Sequence, residues 1–199
     1  MCYVRILVVS LLVTLSFAVN NASADDVADK AQVCAGCHGE NGIPQEKITP
    51  IISGQNEGYL YLQLRDFKSG ARKNDQMSAI VADLSKQDMK ALAKHFAGLK
   101  WPNLSQPAPA KDIEKKALTV IGSIGCTSCH LEQFQGDGTT ARLAGQQHEY
   151  LAKTMADFRS RARANNPGMS DLMNAAQPAD LDPIAQYLAS LTVIGGNGQ

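Results

Sequence analysis

Five residues, Cys34-Ala35-Gly36-Cys37-His38, recur as Cys126-Thr127-Ser128-Cys129-His130. Two thiols one helical turn apart, followed at once by an imidazole, form the C-x-x-C-H run to which c-type haem is covalently attached. Each thiol can form a thioether to a vinyl group on the porphyrin edge, and the histidine then lies under the iron to offer a ring nitrogen. A single run of this kind could be half of a zinc site, or a redox pair followed by a chance histidine. Two complete copies favour haem over zinc or disulfides.

An iron held by one histidine needs a further axial ligand to be a stable electron carrier, and a methionine thioether suits that role while raising the reduction potential. Of the six methionines, only Met77 and Met169 align with each other when the two halves are superposed in sequence. Each follows a stretch rich in Lys, Arg and Asn, which reads as a loop. Met89 and Met155 fall on apolar helical stripes opposite Leu181 and Leu64, and Met173 stands opposite Val81, so these read as packing groups. His95 matches Tyr187 and His148 matches Glu57, so neither is doubled as a ligand should be. Arg72 and Arg163, near the two methionines, could pair with haem propionates or be solvated helix ends. Lys86, Lys90 and Lys94 read as a solvated helix face.

The elements that carry these residues are themselves repeated. The motifs are offset by 92 residues, and Pro50-Ile51-Ile52-Ser53-Gly54-Gln55 returns as Ala141-Arg142-Leu143-Ala144-Gly145-Gln146 at an offset of 91. Helix-compatible stretches, 25–33 and 113–121, lead into the two motifs. Leu60, Leu64 and Phe67 make an i, i+4, i+7 stripe, repeated by Leu151, Met155 and Phe158, with Tyr59 and Tyr150 opening the two helices. Asn165-Asn166-Pro167-Gly168 restores the offset of 92, on which Met77 meets Met169. A last helix, with Ser85 as cap and Asp88 in its first turn, buries Met89, Leu92, Phe96 and Leu99; its twin buries Leu181, Ile184, Leu188 and Leu191.

Residues 1–24 read as a secretory signal, with Arg5, an apolar run from Ile6 to Val19 and the small-x-small site Ala22-Ser23-Ala24. The run is too short for a spanning helix, which needs ~20 apolar residues. Cleavage would remove Cys2 and leave four of the five cysteines, all in the two motifs, which suggests that they are committed to thioethers in an oxidising compartment, the periplasm. The 199 residues carry 19 basic and 19 acidic side chains, a balance that points to no nucleic acid partner. The expected organisation is all-α: a first domain over 25–100, a proline-bearing linker over 101–110, a second domain over 111–194 and a disordered tail over 195–199. Each half is small for a self-sufficient core, which a haem would fill.

With motif, glycine loop, methionine and terminal helix all doubled in order, the mature chain closely resembles the dihaem cytochrome c4 family. The resemblance implies two tandem class I cytochrome c domains with their propionate edges close, and a periplasmic carrier between redox proteins, with a donor such as a quinol-cytochrome c reductase and an acceptor such as a terminal oxidase. Any membrane association would come through those partners. It makes Cys34, Cys37, Cys126 and Cys129 the attachment sites, His38 and His130 the proximal ligands, and Met77 and Met169 the distal ones. It also implies that the residue before each glycine loop lends its carbonyl to the proximal histidine. Pro50 fits that pattern, whereas Ala141 keeps the carbonyl without the fixed backbone. The second motif continues into Leu131, where Gly39 follows the first. The alternative role is the cytochrome subunit of a flavin-containing sulfide dehydrogenase. A dihaem peroxidase, a true enzyme, needs an open iron position, against which Met77 and Met169 speak.

Overall fold

The structure, a computed structural model, describes residues 24–192. The signal segment, apart from Ala24, and the tail at 195–199 lie outside the described residues. All regular structure among the described residues is helical. In the first half α1 (Ala24–His38) is followed by a single 3-10 turn (Glu40–Gly42), α2 (Glu57–Ser69), α3 (Asp75–Val81) and α4 (Lys86–Ala97). In the second, α5 (Lys111–Ile124) leads to the short α6 (Thr127–His130), then α7 (His148–Arg159), α8 (Pro167–Ala175) and α9 (Pro178–Ser190).

The apolar stripes are buried in two separate clusters. Leu60, Leu92 and Phe96 close the first, where α4 packs against α1 and α2; Leu151, Met155, Phe158, Leu181, Ile184 and Leu188 close the second, where α9 packs against α5 and α7. Met89 is buried, as is Met173, matching the buried Val81 opposite it. Ser85 and Asp88 form a reciprocal capping box at the start of α4, and Gln177 and Asp180 form another at α9. Each box acid also takes a lysine from the half's opening helix: Lys30 Nζ lies 2.7 Å from Asp88, and Lys116 Nζ 3.1 Å from Asp180.

Two sequence expectations change in detail. The first motif closes α1, but the second does not sit at the end of α5, because Gly125 takes a left-handed φ of 72° and ends that helix before Cys126. The motif then forms its own turn, α6. The methionine segments are not loops: Asn74 and Asn166 accept hydrogen bonds from the backbone N–H groups of Met77 and Met169, at 2.9 and 3.1 Å, and so nucleate α3 and α8.

The segment 101–110 has no regular structure, but it is firmly docked. Gln106 Nε2 donates to the carbonyls of Gly145, Gln146 and Ala189, its Oε1 accepts from His148 N, and Trp101 is buried.

Candidate haem sites

Each motif places its histidine where a carbonyl can hold it. His38 Nδ1 lies 2.9 Å from Pro50 O, and His130 Nδ1 lies 2.9 Å from Ala141 O. Both histidines are only 8% exposed, and burial lowers both their pKa values against the raising effect of the carbonyl bonds. The neutral ring donates Nδ1–H to the carbonyl, which leaves the Nε2 lone pair for a metal. Alanine makes the same bond as proline at the same distance. None of the four cysteines at 34, 37, 126 and 129 is in a disulfide. Cys37 and Cys129 are exposed, whereas Cys34 and Cys126 are half-buried and their thiols are pushed up by burial.

Met77 and Met169, both half-buried, stand in the first turns of α3 and α8 at matching positions. His95 lies edge-on to Phe96, and His148 Nε2 pairs with Asp182 at 2.8 Å, so both have structural partners. Lys86, Lys90 and Lys94 are exposed.

The two halves meet through residues related by the repeat. Gln55 accepts from Arg142 N at 2.7 Å and donates to Arg142 O at 2.9 Å; its twin Gln146 accepts from Ile51 N at 2.9 Å and donates to Ile51 O at 3.0 Å. Asn56 Nδ2 donates to Gln135 O, as Gln147 Nε2 does to Pro44 O. Arg72 Nη2 donates to Tyr150 OH at 3.1 Å, and Arg163 Nη2 to Tyr59 OH at 3.2 Å. Each pair exchanges places under the same offset, so the interface has approximate two-fold symmetry. The residues that make it are doubled in the sequence: Gln55 and Gln146, Tyr59 and Tyr150, Arg72 and Arg163.

Positive charge gathers at this interface. Among the described residues neither Arg72 nor Arg163 has a carboxylate partner, and each guanidinium stacks on an aromatic ring, Phe67 at 4.5 Å and Phe158 at 4.4 Å. Burial alone would raise the Tyr150 phenol, but the two arginines outweigh it and hold the phenol below its ordinary value. Arg142 is 8% exposed, lies over Trp101 at 5.3 Å, and has Nε and Nη1 without an acceptor. Arg142 with donors unmet, and two further guanidiniums without a carboxylate partner, suit a group that brings carboxylates, and haem brings two.

Two cysteine pairs on helical turns, each followed by a buried neutral histidine in a small helical half, define a dihaem c-type cytochrome. No family model matches the chain. It is 33% identical to cytochrome c4 of Pseudomonas aeruginosa, over 93% of this chain and 98% of that protein. It is 30% identical to the thiosulfate dehydrogenase electron acceptor of Stutzerimonas stutzeri, over 81% of this chain and 80% of that protein. The crystal structure of reduced recombinant cytochrome c4 from Pseudomonas stutzeri superposes with a TM-score of 0.76 at 26% identity, covering 86% of this chain and all of that one. The chain belongs to the cytochrome c4 family. It is an all-α protein of two class I cytochrome c domains with two covalently attached haem c groups, an electron-transfer protein rather than an enzyme.

Proposed function

We propose that this protein is a periplasmic shuttle whose irons are held by His38 and Met77 in a first domain, 25–100, and by His130 and Met169 in a second, 111–194, joined by 101–110. Cys34, Cys37, Cys126 and Cys129 form the thioethers, and residues 1–24 direct export as a signal that is cleaved. The observation that carries the reading is the histidine–carbonyl bond, made twice at 2.9 Å.

Each haem supplies a reversible one-electron couple, ferric to ferrous. The chain holds the ligands still: Pro50 and Ala141 orient the imidazoles, while Asn74 and Asn166 fix the helical turns that carry the methionines. Arg72, Arg142 and Arg163 supply donors for propionates. With His38 and Met77, and His130 and Met169, as ligands, the irons would have no position open to substrate, and the residues would bind, orient and exclude water without bond chemistry.

The donor we favour is a quinol-cytochrome c reductase and the acceptor a terminal oxidase. A second reading has a specific support, the relative named as an electron acceptor of thiosulfate dehydrogenase: the donor would then be a dehydrogenase acting on a reduced sulfur compound.

The test is mass spectrometry of the denatured protein, which should retain two haems, followed by Met77→Ala and Met169→Ala. Each variant should keep both haems and lose about half of the sulfur-to-iron charge-transfer absorption, because one of two thioether ligations remains. Full absorption in Met169→Ala with half lost in Met173→Ala would refute the ligand assignment. Reduction by purified quinol-cytochrome c reductase or by thiosulfate dehydrogenase separates the two donors.

A further inference from the structure

The two-fold pattern of the interface fails in several places, and at one of them a single atom joins both halves. Gln63 on α2 sits where the repeat places Thr154 in the second half. Its Oε1 accepts from Arg72 Nη1 at 2.9 Å, from Arg163 Nη2 at 2.8 Å and from Asn165 Nδ2 at 3.2 Å. One amide oxygen therefore takes three donors from both halves, and two of them belong to cations that should repel each other. The two guanidinium nitrogens on it are at most 5.7 Å apart, the sum of their distances to that oxygen. The acid Asp66 makes its ion pair with Arg65 instead, and its other oxygen accepts from Asn165.

We propose that Gln63 is a positioning residue for electron exchange between the halves: its amide oxygen ties Arg72 and Arg163 into one unit, so that the charge on either haem is felt by the other. This rests on the reading of two propionate-bearing haems given above. A neutral acceptor suits the task. It holds both cations without neutralising either, and so leaves their charge to act on the propionates of both halves. The exchange moves one electron between two irons, one oxidised as the other is reduced, with no bond made or broken at Gln63.

The experiment is a spectroscopic redox titration of the full dihaem protein, as wild type, Gln63→Glu, Gln63→Leu and Gln87→Glu. A carboxylate at the junction favours the more positive ferric state, so Gln63→Glu should lower both midpoint potentials together. The same charge at exposed Gln87 on α4 should lower neither. Gln63→Leu removes the shared acceptor and should weaken the dependence of one haem's potential on the oxidation state of the other. Haem content is measured first: a wild-type chain without two haems overturns the functional reading and this inference with it. With two haems present, a Gln63→Glu titration that shifts one potential or none overturns the junction alone. If that variant does not yield a folded dihaem protein, Gln63→Leu decides, and an unchanged interaction between the haems overturns the proposal.

Discussion

After His38 the first half turns its chain with Gly39 at φ 75°, ψ 166°; after His130 the second turns with Leu131 at φ 65°, ψ 169°. That region is close to forbidden for a residue with a side chain, yet the corner is the same. The difference lies in what the corner faces. A Cβ at Gly39 would lie 2.1 Å from the carbonyl oxygen of Ile43. Ile43 has no counterpart in the second half, since Gly42 matches Phe134 at an offset of 92 while Pro44 matches Gln135 at 91. The shorter loop that looks like a minor deletion is what makes room for Leu131.

A second exchange follows three residues on. Gly42 and Phe134 both have left-handed φ, 78° and 53°, and both offer their carbonyl to two backbone N–H groups: Ile52 and Ser53 in the first half, Leu143 and Ala144 in the second. A side chain at Gly42 would meet Ile52 and Ser53 within 3 Å and the ring of Phe96 at 3.2 Å. The second half has Leu188 in place of Phe96, and the aromatic ring comes from the loop instead, as buried Phe134 edge-on to Tyr187. Each half thus has a phenylalanine ring near this corner, supplied by helix in one case and by loop in the other. The backbone path around the histidine is held by hydrogen bonds common to both halves, and residue types adapt to it.

Swapping the corner residues tests this most severely. Gly39→Leu should cost more than 3 kcal/mol in the first half, because strain and a backbone clash add, and chemical denaturation should show that half opening first. If Gly39→Leu is tolerated, the account based on Ile43 is wrong. Asp88→Ala should cost about 1–2 kcal/mol by removing a cap, with further loss from the Lys30 contact. Bonds from Lys30 and Ser85 hold the Asp88 carboxyl at about 2, below its ordinary value of 3.8. Its depressed folded-state value means that this stabilisation is fully present above about pH 4 and fades as pH falls towards 2. An acid titration of wild type against Asp88→Asn should therefore converge at the low end, and parallel curves would count against the linkage.

Leu131→Gly should act in the opposite sense to Gly39→Leu, raising stability by about 1 kcal/mol as strain is released, less the entropy of the added glycine. A loss of stability would mean that the half-exposed leucine makes contacts worth more than its strain. The smallest effect belongs to Pro50→Ala, which makes the first half like the second at this position. Freeing the backbone of the unfolded chain should cost about 0.5–1 kcal/mol while the bond to His38 persists, so haem retention should be unchanged.

Much of this molecule is local chemistry and could be read residue by residue. The C-x-x-C-H runs, the apolar stripes of α2, α4, α7 and α9 and the Ser85 cap all depend on spacings within a few turns of chain. Duplication made them legible, because each doubled residue was a check on the other. The Asn74 and Asn166 caps are equally local but are hidden, since a polar run before a short helix resembles any turn. What tertiary structure alone decided lies between the halves. Gln55 with Arg142, Gln146 with Ile51 and the crossed arginine–tyrosine pairs join residues 78 to 104 positions apart, and no periodicity reports such contacts. Gln63 was invisible for a further reason: it has no twin, and its role comes from lying near an approximate two-fold axis, where one side chain can serve both halves but two would collide. Leu131 after His130 is plain in the sequence as a missing glycine, but whether that corner can hold a side chain depends on the space left by a residue absent elsewhere in the loop, a matter of packing that only the folded chain decides.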